Sequence, residues 1–155
     1  MCARSDELNT NSAEFTALVA ELLSGGKTVW FRANGLSMMP FVRHGDRLQV
    51  EPLAGRPLRR GDIVLFRAGD GFTAAHRITR LRHGATLRLL IQGDALLHPD
   101  GEVELDCVLG RVTALERQGR RWPLDSGWPR RLALIWLVLS PLSRWAYRAW
   151  LKLWR

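Results

Sequence analysis

Residues 61–80, GDIVLFRAGDGFTAAHRITR, decide the fold class. Two short runs rich in Ile, Val, Leu, Phe and Thr, at 61–67 and 72–80, are separated by a glycine-bearing turn, which is the texture of β-strands. Working outward, the same texture recurs at 46–51 (DRLQVE), 28–33 (TVWFRA), 86–92 (TLRLLIQ) and 107–116 (CVLGRVTALE). The intervening turns carry His44-Gly45-Asp46, Arg60-Gly61-Asp62 and Gly93-Asp94. Closely spaced strands with few helices predict a mainly β fold, a small coiled antiparallel domain over residues 27–122.

Two helical segments flank that domain. In 13–23 (AEFTALVAELL), Phe15, Leu18, Val19, Leu22 and Leu23 recur at spacings of three and four, so residues 1–26 are expected to hold an amphipathic helix stopped at Ser24-Gly25-Gly26. Residues 123–155 differ in composition from everything before them. The chain carries a formal charge of +8, yet Met1 to Glu116 is neutral, and nine basic residues against Asp125 alone follow it. Six of the seven tryptophans lie from Trp122 onward.

The run 132–142 is uncharged but spans only about 16 Å as a helix, against roughly 30 Å of hydrocarbon. After Ser140-Pro141, Arg144, Arg148, Lys152 and Arg155 form a basic stripe, opposite a face that includes Trp145 and Trp150. With Trp136 and Trp154, these residues predict a tail held at an anionic membrane interface, peripheral or C-terminally anchored, with the cytoplasmic face an option. Indole with leucine suits lipid better than phosphate, so nucleic acid is not an expected partner. The polar stretch Met1 to Asn11 lacks the layout of a secretory signal. Two distant cysteines, Cys2 and Cys107, make a disulfide framework improbable.

The chemistry centres on Asn34-Gly35-Leu36-Ser37-Met38-Met39-Pro40. A serine on a glycine- and proline-constrained loop can stand where backbone N–H groups converge on an oxyanion. The only lysines, Lys27 and Lys152, fall outside the β region, so a serine nucleophile would need one of the four histidines as its base. His44, His83 and His98 read as turn or surface residues, and Asp46 and Asp62 as turn and capping groups. No H-E-x-x-H or C-x-x-C spacing occurs, so neither a metal nor another cofactor is expected.

The ordered series G-L-S-M-M-P at 35–40, G-D at 45–46, G-D-I-V-L-F at 61–66, H-R-I at 76–78, Q-G-D at 92–94 and L-G-R-V at 109–112 resembles the signal peptidase I superfamily, which includes the self-cleaving SOS repressors. The resemblance covers about residues 27–116. It implies a serine endopeptidase that removes a leader or signal sequence from a protein or peptide. His76, where many relatives place lysine, resembles the serine–histidine branch found in endoplasmic-reticulum and archaeal enzymes. Ser37 would then be the nucleophile, His76 the general base and Asp100 the orienting acid, with Asp94 as the alternative. Gly35 falls where a serine hydroxyl often assists the oxyanion, leaving the Ser37 amide and Asn34 as candidate donors. Leu36, Met38, Met39 and Phe41, with the strand at 72–76, would line the substrate groove.

Two other readings compete. One is self-processing, for which Ala54-Gly55 and Ala68-Gly69 are candidate bonds, although both follow Ser37. The other is a catalytically inactive peptide-binding module at the membrane surface.

Overall fold

A computed structural model describes residues 11–69, 72–126, 131, 132, 134–136 and 139. Its core is an eight-stranded antiparallel sheet preceded by helix α1 (Asn11–Ser24). The strands are β1 (Val29–Arg32), β2 (Arg47–Glu51), β3 (Ile63–Arg67), β4 (Thr73–Arg82), β5 (Arg88–Gln92), β6 (Gly101–Glu104), β7 (Val108–Arg117) and β8 (Arg120–Pro123). Their order in space is β1-β2-β7-β3-β4-β5-β6, with β8 paired to β7. Mainly β architecture with one short N-terminal helix is therefore the fold, as the strand texture predicts.

The central strand explains why its sequence is apolar without alternation. Ile63 and Leu65 of β3 enter one core cluster with Val19, Leu48 and Val112, while Val64 and Phe66 enter a second with Ile78, Leu89 and Val103. Both faces of β3 are covered, so every side chain from Ile63 to Phe66 is buried. A sheet must coil to build a core on each face, and the register shifts between Gln49 and Val50, Leu65 and Phe66, and Ile78 and Arg80 mark where it bends. Gly110 of β7 permits a close approach, because a Cβ there would lie 2.7 Å from the Glu51 carbonyl oxygen and the Val50 side chain.

Helix α1 ends with Gly26 at φ 78°, and the Lys27 amide donates to the Leu22 carbonyl at 3.0 Å. That is the glycine-terminated reversal typical of helix C-termini. Thr16, Val19 and Leu23 are buried, whereas Phe15 and Leu18, expected on the packing face, stay exposed.

Two strands escaped the sequence reading. β6 (GEVE) and β8 (RRWP) are short and largely charged, and they exist because β5 and β7 offer them free edges. β8 and the buried Leu124 also carry the sheet slightly past residue 122. Cys107, at the end of a short 3-10 turn (Leu105–Cys107), is disulfide-bonded, which corrects the expectation drawn from cysteine spacing.

Candidate active site

Ser37 and His76, 39 residues apart, meet at one end of a cleft. His76 sits on β4 in register with Val64 of β3, so its position is fixed by the central strands. Its ring packs against Phe66 with centroids 6.0 Å apart. Ser37 lies in the loop between β1 and β2, and its Oγ is 2.9 Å from His76 Nε2. A neutral imidazole protonated on Nδ1 leaves Nε2 free to accept the hydroxyl proton.

Nδ1 faces Asp100. The Oδ2 atom lies 2.8 Å away, with the His76 and Asp100 side chains 12% and 23% exposed. The contact has ion-pair distance, but Nδ1 makes no well-aligned hydrogen bond among the described residues. Distance and burial make Asp100 the electrostatic neighbour of this ring nitrogen. Oδ2 also accepts the Gly93 amide at 3.2 Å.

The segment 93–100 joins the two halves of the site. The Ala95 amide donates to the Ser37 carbonyl at 2.8 Å, and the Asp100 amide donates to the Ile91 carbonyl at 3.0 Å. Gly93 is needed for this proximity, since a Cβ there would stand 2.7 Å from the Ser37 carbonyl oxygen. One loop thus grips the serine backbone at its start and presents a carboxylate to the histidine at its end.

Asp94, the alternative orienting acid, is committed elsewhere. Its oxygens accept from Arg77 Nε at 2.8 Å and Nη2 at 2.7 Å, and both side chains are almost fully buried. Arg77 Nη1 donates to the Gly61 carbonyl at 2.8 Å. Planar fork geometry makes this bidentate pair rigid as well as strong. It braces the strand bearing His76 against the loop bearing Asp100.

The cleft, about 550 Å³, is lined by Met38, Val42, Leu48 and Leu65, by 30–35 on one side and by 73–76 on the other. Of the residues expected along a groove, Met38 and 73–76 line this cleft and Phe72 does not. Leu36 and Met39 are exposed and outside the lining. Phe41 turns away from the cleft, packing under the Arg77 guanidinium at 5.2 Å and against the edge of Trp136 with centroids 6.0 Å apart. Arg77 needs an apolar cover more than the cleft needs another wall.

Asn34 and Gly35 line the cleft, and Gly35 has φ 108°, a conformation that favours glycine over any residue with a side chain. The Ser37 amide donates to no backbone carbonyl among the described residues. Trp136, expected at a lipid surface, is half-buried, and its indole N–H donates to the Asp94 carbonyl at 3.3 Å. Arg144, Trp145, Arg148, Trp150, Lys152, Trp154 and Arg155 lie outside the described residues. Arg77 and Gly93 were the missed residues; their signal was the buried-charge need beside His76 and the glycine beside Asp94.

An antiparallel, coiled sheet with a serine–histidine pair at the mouth of an apolar cleft defines a peptidase-type scaffold. Residues 2–96 match the model of the Peptidase S24-like family, and the chain belongs to that family. The match includes Ser37 and His76 and stops short of Asp100. Comparison with curated proteins finds no match.

Proposed function

We propose that this protein is a serine endopeptidase of the signal-peptidase type, cutting a leader or signal sequence from an extended peptide at a membrane surface. The observation that carries the reading is the 2.9 Å contact between Ser37 Oγ and His76 Nε2 at the end of an open cleft. As Ser37 Oγ bonds to the scissile carbonyl carbon, its proton passes to Nε2, and Asp100 favours the imidazolium that forms. The carbon–nitrogen bond then breaks, and Nε2 returns the proton to the departing amine. Water, deprotonated by the same nitrogen, hydrolyses the ester and restores Ser37. The Ser37 amide is the first oxyanion donor, and Asn34 on the cleft wall is the candidate for the second.

Binding follows from two strand edges. No described strand pairs with the outer edge of β1, and β5 pairs with β4 only from Arg77 onward. A peptide laid between 30–35 and 73–76 can therefore add as a strand, with backbone hydrogen bonds supplying affinity.

Self-cleavage at the two small-residue bonds has less support. Ala54 lies by Val108 and Leu23, outside the Ser37 cleft. Ala68 bonds to Phe72 at the tip of the β3–β4 hairpin, four residues and so roughly 13 Å of strand from His76. The membrane assignment rests on the Trp- and Arg-rich sequence at 140–155. Among the described residues no helix is long and apolar enough to cross a membrane.

The test is labelling by a serine-directed acylating probe, read as intact mass. Wild type is expected to gain one adduct, and Ser37→Ala and His76→Ala none, with all three giving the same circular dichroism. Equal labelling of Ser37→Ala, or an inert wild type, points instead to a binding module.

A further inference from the structure

Helix α1 has an apolar face that the core does not use. Thr16, Val19 and Leu23 point inward and are at most 3% exposed, whereas Phe15 and Leu18 remain 43% and 54% exposed. Phe15 is not simply stranded on the surface. It lines the cleft that holds Ser37 and His76, and Trp30 and Phe31 of β1 line it too.

The cleft has a direction. Gly35, Ser37 and His76 mark one end, while α1 packs on β1 and brings Phe15 beside the strand that begins at Val29. On the opposite wall β4 begins at Thr73, three residues and so about 10 Å from His76. A substrate added as a strand would pass Thr73 with the residue three or four positions from its cut bond.

Trp30 is held in place from outside the cleft. Arg47 and Arg121 stand over its ring at 5.4 and 5.7 Å. Those contacts hold the indole on the Gln49 face of β1, so it is the next residue, Phe31, paired with Leu48 and packed on the core cluster, that turns its ring to the cleft. The distant end of the cleft therefore offers a preset aromatic wall with an exposed phenyl beside it.

We propose that Phe15, with Phe31, forms a subsite for a large apolar side chain three or four residues from the scissile bond. α1 is then a specificity element as well as a packing helix. The inference rests on the endopeptidase reading for its substrate, but its binding half needs no chemistry.

The test uses heptapeptides with one leucine scanned through an alanine–serine background. Binding is measured to Ser37→Ala and to the same chain carrying Phe15→Ser. Leucine at one position should raise affinity for Ser37→Ala by about fivefold to tenfold, as partial burial of one apolar side chain predicts. Phe15→Ser should erase that gain and leave leucine-free peptides unchanged. Leu18→Ser, outside the cleft lining, should keep it. An unchanged gain in Phe15→Ser, or no position preference at all, overturns the subsite. Cleavage of the same peptides by wild type reports separately on the endopeptidase reading, because binding selectivity without cleavage would sink that reading and keep the subsite.

Discussion

Two Gly-Asp turns look alike in sequence and do different work. Gly45-Asp46 and Gly93-Asp94 each place a buried aspartate against an arginine by a bidentate contact, Arg117 in the first and Arg77 in the second. At Asp46 the pair closes a loop against the end of β7, and the carboxylate also accepts the Arg43 amide at 2.7 Å. The Arg117 side chain is 28% exposed. At Asp94 both partners are sealed from water, and the turn continues into the loop that grips Ser37 and presents Asp100. One pair supports the sheet; the other supports the loop that holds Ser37 and Asp100 around His76. The lesson is that the motif specifies an arginine-braced turn, and its place in the sheet specifies the use.

The largest effect should come from Asp100→Asn. It keeps the shape of the side chain but removes the charge facing Nδ1, and loss of an orienting aspartate can cost about 10²–10⁴ in kcat. Peptidase turnover should fall that far with little change in the urea midpoint. If Asp100→Asn is active while Asp94→Asn is dead and fully folded, the assignment of the two acids is reversed.

Asp94→Asn should act mainly through the fold. It leaves the Arg77 charge buried without its carboxylate, a change that costs about 3–5 kcal/mol in such pairs. Urea denaturation should show this loss, and turnover should fall as the 93–100 loop loosens. A loss no greater than at Asp46 would erase the contrast between the turns.

Much of this contrast was hidden in the sequence for physical reasons. The strands β1 to β5 and β7 were legible because their apolar runs serve cores that sheet formation dictates. β6 and β8 were not, because charged edge strands take their conformation from a neighbour's free hydrogen-bonding groups. Ser37 and His76 could be singled out through an ordered series of motifs. The resemblance favours Asp100 over Asp94 by spacing alone, since both follow one glycine and only the packing tells which oxygen reaches Nδ1. Trp136 is ambiguous for a related reason: an indole in an apolar stretch has the same pattern whether lipid or Phe41 covers it.

The smallest effect, and the sharpest test of the comparison, is the pH dependence of Asp46. Burial pushes its carboxyl up, but hydrogen bonds from Arg117 and the Arg43 amide, with the charges of both arginines, outweigh this and hold it below the usual carboxylate range. The same bond raises the already basic Arg117, against the effect of its own burial. A depressed folded-state pKa means the unfolded chain takes up protons first as pH falls. The stabilisation is therefore complete above the unfolded value, near 3.9, and disappears as pH drops through the folded value. Asp46→Asn should cost about 2 kcal/mol at pH 7, in line with charged hydrogen bonds. The gap between wild type and variant, from urea titrations at several pH values, should narrow below about pH 4, and subtraction cancels carboxylates common to both. Turnover per folded molecule should match wild type at pH 7, because the side chains of Asp46 and Arg117 bond only to each other and to the backbone of Arg43 and Phe41, outside the cleft lining. A gap that stays constant to pH 2 would mean the carboxylate's charge is not what this turn uses, and a fall in turnover would tie the two turns together through the sheet.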